Sequence, residues 1–341
     1  MPVSQLTLPF TVAEVGMNHD GSLGSALSYI EALSSTGVSA IKFQMHIPEA
    51  ESSSRERFRV KVFPQDHTRY DYWERTRFTK KQWAEIKKAC DDAGVIFFAT
   101  PFSVAAVDLL AELGVNIWKI PSGEITNWYL FDAILEKHGE IFMSSGMSSI
   151  RELDSAVDYI RAKDGQISTV LQCTSAYPVE PKDLGLNVMT ELSQRYNTLP
   201  GLSDHSGRTE ANTIASYLGC EVFEFHVRKS SHDFGPDIPA SINVGNVTKL
   251  IDSINYAKKL SQRVEKDDIF DRSAVMRETF FPKLVAKRTL VPGHRISKED
   301  LEPRKGEGGV TVSKLNEVIG RVAKVEIHQG VFLEWDSLSD G

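Results

Sequence analysis

Little in this chain of 341 residues points to stapling, membrane anchoring or nucleic-acid binding. It has 3 cysteines, Cys90, Cys173 and Cys220. Their odd number and wide spacing offer no disulfide framework, and no CxxC or Cys/His zinc pattern occurs. Buried free thiols in a reducing cytoplasm are therefore expected. No apolar run is long enough to span a bilayer. The segment Met1 to Phe10 lacks the charged start and apolar core of a secretory leader, so a cytoplasmic protein with no membrane partner is expected. A net charge of -7 with no long basic block argues against nucleic acid as a partner. A local basic pocket could still take an anion. HExxH and HxH are missing, which removes the usual signatures of hydrolytic zinc sites. Gly306-Glu307-Gly308-Gly309 lacks the strand-then-helix context and the lysine of a nucleotide loop.

What is present is a rhythm. Leu23, Ala26, Leu27, Ile30 and Leu33 repeat at helical spacing, Gly37 follows, and Val38 to Phe43 reads as a buried strand. The cycle returns with helices at Lys80 to Ala93, Val104 to Leu113, Leu130 to Lys137, Ile150 to Ala162 and Thr209 to Leu218. Each leads into a β-branched or aromatic run, and in most cases a glycine closes the helix first. A last helix is expected at Val247 to Leu260. Eight such units in about 250 residues predict an α/β fold, a closed (β/α)8 TIM barrel. Two stretches break the pattern. Pro48 to Arg77 is a long charged insertion after the second strand, of the kind that forms lids or binding loops. Gln262 to Pro282 is highly charged and reads as a linker or connecting helix. The expected division is a barrel over 1–265, a linker over 266–283 and a small β-rich domain over 284–341. In that last domain, short strands are expected at Ala286 to Val291, Gly293 to Ile296, Arg321 to Ile327 and Gly330 to Leu333.

In such a barrel the carboxyl ends of all eight strands converge on one mouth. The polar residues there are the candidates. Lys42 and Lys119 sit within apolar strands, and a lysine is almost never fully buried without a partner. An anionic ligand would supply one, helped by hydroxyls such as Ser122, Ser144 and Ser203. A salt bridge to Glu14 or Glu124, or a Schiff-base role, are the alternatives. Glu14 and Glu124 could move protons or hold sugar hydroxyls. His205 and His226 follow neighbouring strands and could share a divalent metal, or be two ordinary hydrogen-bonding histidines. Asp237 lies in a Gly-Pro-Asp turn, a metal or sugar ligand or a common surface turn. Trp73, Trp83 and Trp128 read as packing anchors.

Taken together, the motifs resemble the sialic acid synthase family over almost the whole chain. They run from Ala13-Glu14-Val15-Gly16-Met17-Asn18-His19 through Lys42-Phe43-Gln44, Thr100-Pro101-Phe102, Lys119 to Glu124 and Ser145-Gly146-Met147. Cys173 to Pro178, Leu202-Ser203-Asp204-His205 and Gly235-Pro236-Asp237 follow in the same order. Arg304 to Gly308 and Glu317 to Arg321 resemble that family's antifreeze-like SAF domain. The resemblance implies condensation of phosphoenolpyruvate with the open-chain aldehyde of an N-acylated amino sugar, giving a nine-carbon 3-deoxy-2-keto acid and phosphate. It implies a divalent metal cofactor, Mn2+ or Mg2+, on His205 and His226. Lys42, Lys119, Ser122, Ser144 and Ser203 would hold the carboxylate and phosphate of phosphoenolpyruvate, with Ser175 near it and Thr100 among the substrate-binding residues. Glu14, Glu124 and Tyr177 would act on the sugar or on protons, with Gln44, Tyr177 and Asp237 completing the sugar and metal surroundings. Arg304 would reach a partner's site in a domain-swapped homodimer.

The chain departs from the family where Phe225 replaces a basic residue, where Ser175 replaces an asparagine, and in the insertion. These departures bear on the acceptor, N-acetylmannosamine or a 6-deoxy-diacetamido hexose. Two other readings compete: a phosphoenolpyruvate-dependent synthase of a phosphorylated aldose, and a non-catalytic sugar-binding barrel.

Overall fold

The computed structural model describes residues 7–61 and 63–340, with Asp271 by its backbone alone. The absence of a leader, expected from Met1 to Phe10, therefore falls partly outside the described residues. Eight parallel strands follow one another around a barrel: β1 (Phe10–Gly16), β2 (Ala40–Met45), β3 (Ile96–Pro101), β4 (Ile117–Ile120), β5 (Glu140–Ser144), β6 (Gln166–Cys173), β7 (Leu199–Asp204) and β8 (Val222–Arg228). Hydrogen-bonded ladders run in the order β3-β2-β1-β8-β7-β6-β5-β4. β3 and β4 lie side by side at the remaining join, without a ladder among the described residues.

The strands are buried on both sides, so their side chains alternate between two interiors. On β2, Ile41 and Phe43 join the apolar core, while Lys42 and Gln44 line the pocket at the mouth. On β8, Phe223 and Phe225 face the core while Glu224 and His226 face the pocket. Position 225 therefore does not line the pocket, and the missing basic residue there removes nothing from it. Arg228 and Lys229 do not line it either; Arg228 donates to Ile238 O and Lys229 to Ser25 Oγ.

The helices form where the periodicity places them, within one or two residues at their ends. Side-chain caps explain the starts: Thr79 and Ser149 each close a capping box, and Asn127 accepts from Leu130 N. Gly94 and Gly114 end their helices at φ of +73° and +78°, a left-handed turn that L side chains resist. One helix, Leu186–Tyr196, has no counterpart in the sequence expectation. Among the described residues, no helix is long and apolar enough to cross a membrane. All three cysteines are free and buried.

The described residues of the insertion after β2 include two short helices, Pro48–Glu51 and Arg69–Thr76. It builds its own apolar cluster from Phe63, Tyr72 and Trp73 with Met17, and Phe58 packs against it.

The chain divides into two compact units, the first ending at Gln262 and the second beginning at Arg263. The second opens with helices Lys266–Arg272 and Ala274–Phe280. Its core gathers Leu284, Ala286, Leu301, Val310, Val318 and Leu333 among others. Strands Lys283–Ala286 and Leu301–Arg304 pair antiparallel, as do Val322–Ala323 and Leu338–Ser339. Several of the expected longer strands reduce to single bridges, Leu290 with Ile327 and Arg295 with Val322. Buried Asp300 organises the adjoining turn, accepting from Arg288 Nε, His294 Nε2 and the Ser297 amide at 2.7, 2.9 and 2.9 Å.

Candidate active site

The register of the ladders aligns the charged residues. Glu14 on β1 is level with Lys42 on β2 and with His226 on β8. A bulge follows Glu14, and Gly16 turns to φ +53°. A Cβ there would lie 3.3 Å from both Gln44 Nε2 and Glu14 Oε1, so glycine lets those two groups meet. They do: Gln44 Nε2 donates to Glu14 Oε1 at 3.0 Å.

The floor is a buried ion network. Lys42 Nζ is 2.8 Å from Glu14 Oε2, 3.5 Å from Glu224 Oε2, and donates to Thr100 Oγ1 at 3.1 Å. Lys119 Nζ reaches Glu224 Oε1 and Oε2 at 2.9 and 3.2 Å and donates to Ser144 Oγ at 2.7 Å. Ser203 Oγ donates to Glu224 Oε1 at 3.0 Å. Burial favours the neutral forms of all these ionisable groups. For Glu224 it is outweighed by the two ammoniums, which hold the carboxyl well below its ordinary range. For Lys42 burial is outweighed by Glu14 and Glu224, so its proton is held more tightly. For Lys119 burial prevails over Glu224 and its proton is held less tightly. Thr100 and Ser144 accept from the lysines, so their own O–H groups remain free to donate into the pocket.

Above this floor lies a cavity of about 450 Å³. It is lined by Glu14, Lys42, Gln44, Thr100, Lys119, Ser122, Ser144, Ser175, Tyr177, Ser203, His205, His226 and Asp237. The strand-end residues singled out from the sequence thus share one pocket, with one exception. Glu124 is not among the lining residues. It ends the 3-10 turn Ser122–Glu124, whose first two residues line the pocket, and its carboxylate turns back to accept from Asn127 Nδ2 at 2.7 Å. Burial raises its pKa. Glu124 buttresses the loop that carries Ser122. Arg304 is carried by the second unit, half exposed, with its Nη2 2.5 Å from Glu302 Oε1.

His205 and His226 stand with ring centroids 5.3 Å apart. His205 Nδ1 lies 2.9 Å from Thr174 O, and a carbonyl can only accept, so that nitrogen carries a proton and Nε2 is the nitrogen left to serve as a ligand. His226 Nδ1 is buried without a hydrogen-bond partner, and burial lowers the pKa of that ring, leaving it neutral. Burial alone would lower the His205 pKa, but Cys173 and the Thr174 carbonyl outweigh it and raise it, so this ring must give up a proton before the two imidazoles can share a divalent cation. Among the described residues, no group of three or more His, Cys, Asp and Glu forms a ready metal cluster. Tyr177 stacks on His205 at 4.1 Å, and burial raises its hydroxyl pKa, so at neutral pH it is a neutral donor.

Three contributors escaped the sequence reading. Glu224 is the shared counter-ion of both lysines; its i, i+2 relation to His226 on one strand was the available signal. Arg59, from the insertion, reaches Asp237 and covers Tyr177. His46 lies between Trp73 and Phe102 at 3.6 and 4.3 Å, pairs with Glu51 at 2.5 Å, and approaches Gln44 Oε1 at 3.4 Å. It thereby ties the insertion to the Gln44–Glu14 pair.

The NeuB family model matches residues 29–266, and the SAF domain model matches residues 282–339. The N,N'-diacetyllegionaminic acid synthase of Legionella pneumophila is 28% identical over 96% of this chain and 94% of its own length. Human N-acetylneuraminate-9-phosphate synthase is 26% identical over 94% of this chain and 90% of its own. The crystal structure of an N-acetylneuraminic acid synthetase from Leptospira borgpetersenii, solved with citrate, superposes with a TM-score of 0.68 at 28% identity, covering 79% of this chain and 92% of that one. With a barrel whose mouth carries the motif residues together and a small β domain behind it in sequence, the chain belongs to the NeuB family, that of the sialic, legionaminic and pseudaminic acid synthases.

Proposed function

We propose that this chain condenses phosphoenolpyruvate with the open-chain aldehyde of an N-acylated amino sugar, N-acetylmannosamine or a related 6-deoxy-diacetamido hexose. The product is a nine-carbon 3-deoxy-2-keto acid, and inorganic phosphate is released. The observation that carries this reading is the floor. Two buried ammoniums share one buried carboxylate, hydroxyls with free protons surround them, and a pair of imidazoles stands in the same pocket.

Lys42 and Lys119, with Thr100, Ser122, Ser144 and Ser175, would hold the carboxylate and phosphate of phosphoenolpyruvate. Ion pairs and hydroxyl donors in a water-poor pocket favour an anion strongly. His205 and His226 would hold a divalent cation, Mn2+ or Mg2+, which as a Lewis acid polarises the aldehyde oxygen. Carbon 3 of phosphoenolpyruvate bonds to the aldehyde carbon, whose oxygen takes up a proton. Water adds at carbon 2 and loses one proton, and the carbon–oxygen bond to phosphate then breaks as the new hydroxyl gives its proton to the departing phosphate, leaving the ketone. Glu14, fixed by Lys42 and Gln44, is placed to exchange a proton at the sugar end. Tyr177 offers a neutral O–H, and Asp237 an acceptor for sugar hydroxyls. Arg304 of a second copy of the chain would contact the acyl group, which makes a homodimer part of this proposal.

The test is phosphate release from phosphoenolpyruvate with manganese across four acceptors: N-acetylmannosamine, its 6-phosphate, a 2,4-diacetamido-6-deoxy hexose and arabinose 5-phosphate. Release with one acylated amino sugar, and a keto-acid mass to match, is the expected result. Release with arabinose 5-phosphate alone, or silence from folded, metal-loaded protein, would count against it.

A further inference from the structure

The insertion lines the pocket through Phe58, Arg59 and Trp73. Arg59 extends from it onto the far side of the pocket, where Nη2 donates to Asp237 Oδ1 at 2.6 Å and to Pro236 O at 3.0 Å. The same guanidinium lies 3.9 Å from the centre of the Tyr177 ring. His205 stacks on that ring at 4.1 Å. Two planar groups at such distances cannot share one face, so Tyr177 is held between Arg59 and His205. Both ends of this contact are built. On the insertion side, the neighbouring Phe58 packs on the Met17, Phe63, Tyr72 and Trp73 cluster, and Glu51 and Trp73 grip His46. On the opposite side, Ser241 Oγ donates to Asp237 O at 2.7 Å, Asn18 Nδ2 donates to Ser241 Oγ at 3.2 Å, and Arg228 donates to Ile238 O at 2.7 Å. Asp237 is thus presented from a fixed loop, and Arg59 decides which way its carboxylate points.

We propose that Arg59 is a specificity-determining positioning residue: it clamps Tyr177 and Asp237 into the wall against which the acceptor sugar docks. This rests on the proposed synthase reading. Phosphoenolpyruvate is assigned to the lysine floor, whereas the contacts of Arg59 are to Tyr177 and Asp237, both assigned to the sugar, so the clamp serves the sugar and not the anion. A guanidinium is required. Its planar face covers the ring while its edge donates twice, which the point charge of a lysine cannot do together.

The experiment is steady-state phosphate release by wild type, Arg59→Lys and Arg59→Gln, with the acceptor that wild type turns over. N-acetylmannosamine 6-phosphate is assayed in parallel. The expected result is an acceptor KM raised about tenfold or more in both variants, the loss of one charged hydrogen-bonding contact. The phosphoenolpyruvate KM stays within about twofold, and lysine does not rescue. Equal rises in both KM values would make Arg59 a general structural residue and overturn the inference. So would an unchanged acceptor KM. Loss confined to the phosphorylated acceptor would make Arg59 a direct phosphate ligand, which also overturns it. If wild type itself turns over no acceptor, the synthase reading falls and takes this inference with it; a wild type that turns over beside indifferent variants sinks the inference alone.

Discussion

Lys119 and Glu224 meet across the bore of the barrel: β4 and β8 are four strands apart in the ladder, yet Nζ and Oε1 are 2.9 Å from one another. Glu224 also stands 3.5 Å from Lys42, so one carboxylate serves two ammoniums. Removing a single partner from a buried pair leaves an uncompensated charge. Glu224→Gln keeps the shape and removes the charge, and should destabilise the protein by roughly 3 kcal/mol. The sharper expectation concerns ligand. Phosphoenolpyruvate would restore the missing negative charge, so it should raise the unfolding temperature of the variant more than that of wild type. Thermal unfolding of both, with and without phosphoenolpyruvate, reads this directly; equal shifts would remove the two lysines from the anion site.

Gly146 is the second test of the anion site. A Cβ on it would lie 2.5 Å from Ser175 Oγ and 2.6 Å from Ser122 Oγ, both lining the pocket. Something must move, and hydroxyls on short side chains have little room. Gly146→Ala should therefore raise the phosphoenolpyruvate KM about tenfold while changing the acceptor KM little. An unchanged phosphoenolpyruvate KM would place Ser122 and Ser175 outside the anion's reach.

What could be read in advance followed from strand alternation. A lysine or histidine in an apolar β run has only two directions to point, and the barrel turns one of them into a common mouth. Lys42, Lys119 and His226 were therefore legible, and Glu224 would have been by the same rule. Glu124 was not, because a 3-10 turn separates it from its strand and rotates it away from the pocket. Arg59 and His46 depend on contacts between the insertion and the barrel that no period encodes. The helix Leu186–Tyr196 starts at Gly185, in left-handed conformation and without a side-chain cap, so the usual start signal was missing. Its buried face, Met189, Leu192 and Tyr196, still carried helical spacing.

The histidine pair can be tested without turnover. Manganese binding followed by its electron paramagnetic resonance signal should weaken at least tenfold in His226→Ala, with the far-ultraviolet circular dichroism unchanged, as expected for a lost metal ligand. His226→Ala should also lose metal-dependent phosphate release. Wild-type manganese affinity in that variant would place the cation elsewhere.

Acid sensitivity should separate two buried groups in the two units. His19 sits against Phe78 at 4.5 Å, and burial, then repulsion from His46, lowers its pKa to about 3. Unfolded, it titrates near 6.5. Between these values the unfolded chain binds the proton and the folded chain does not, so this contribution is complete above 6.5 and is lost as pH falls, at up to about 1.4 kcal/mol per pH unit. Asp300 behaves differently. Burial would raise its pKa, but His294, Ser297 and Arg288 outweigh it and hold the carboxyl well below its ordinary value. Its contribution is complete above the unfolded value near 3.8 and is lost only as pH falls through the folded one. Denaturant unfolding as a function of pH should therefore show His19→Gln flattening the loss of stability that begins below pH 6.5, with Asp300→Asn leaving that limb intact. Asp300→Asn should instead lower stability across neutral pH and blunt the steepest acid limb. A His19→Gln profile parallel to wild type from pH 7 to pH 4 would show that the ring is protonated in the folded protein.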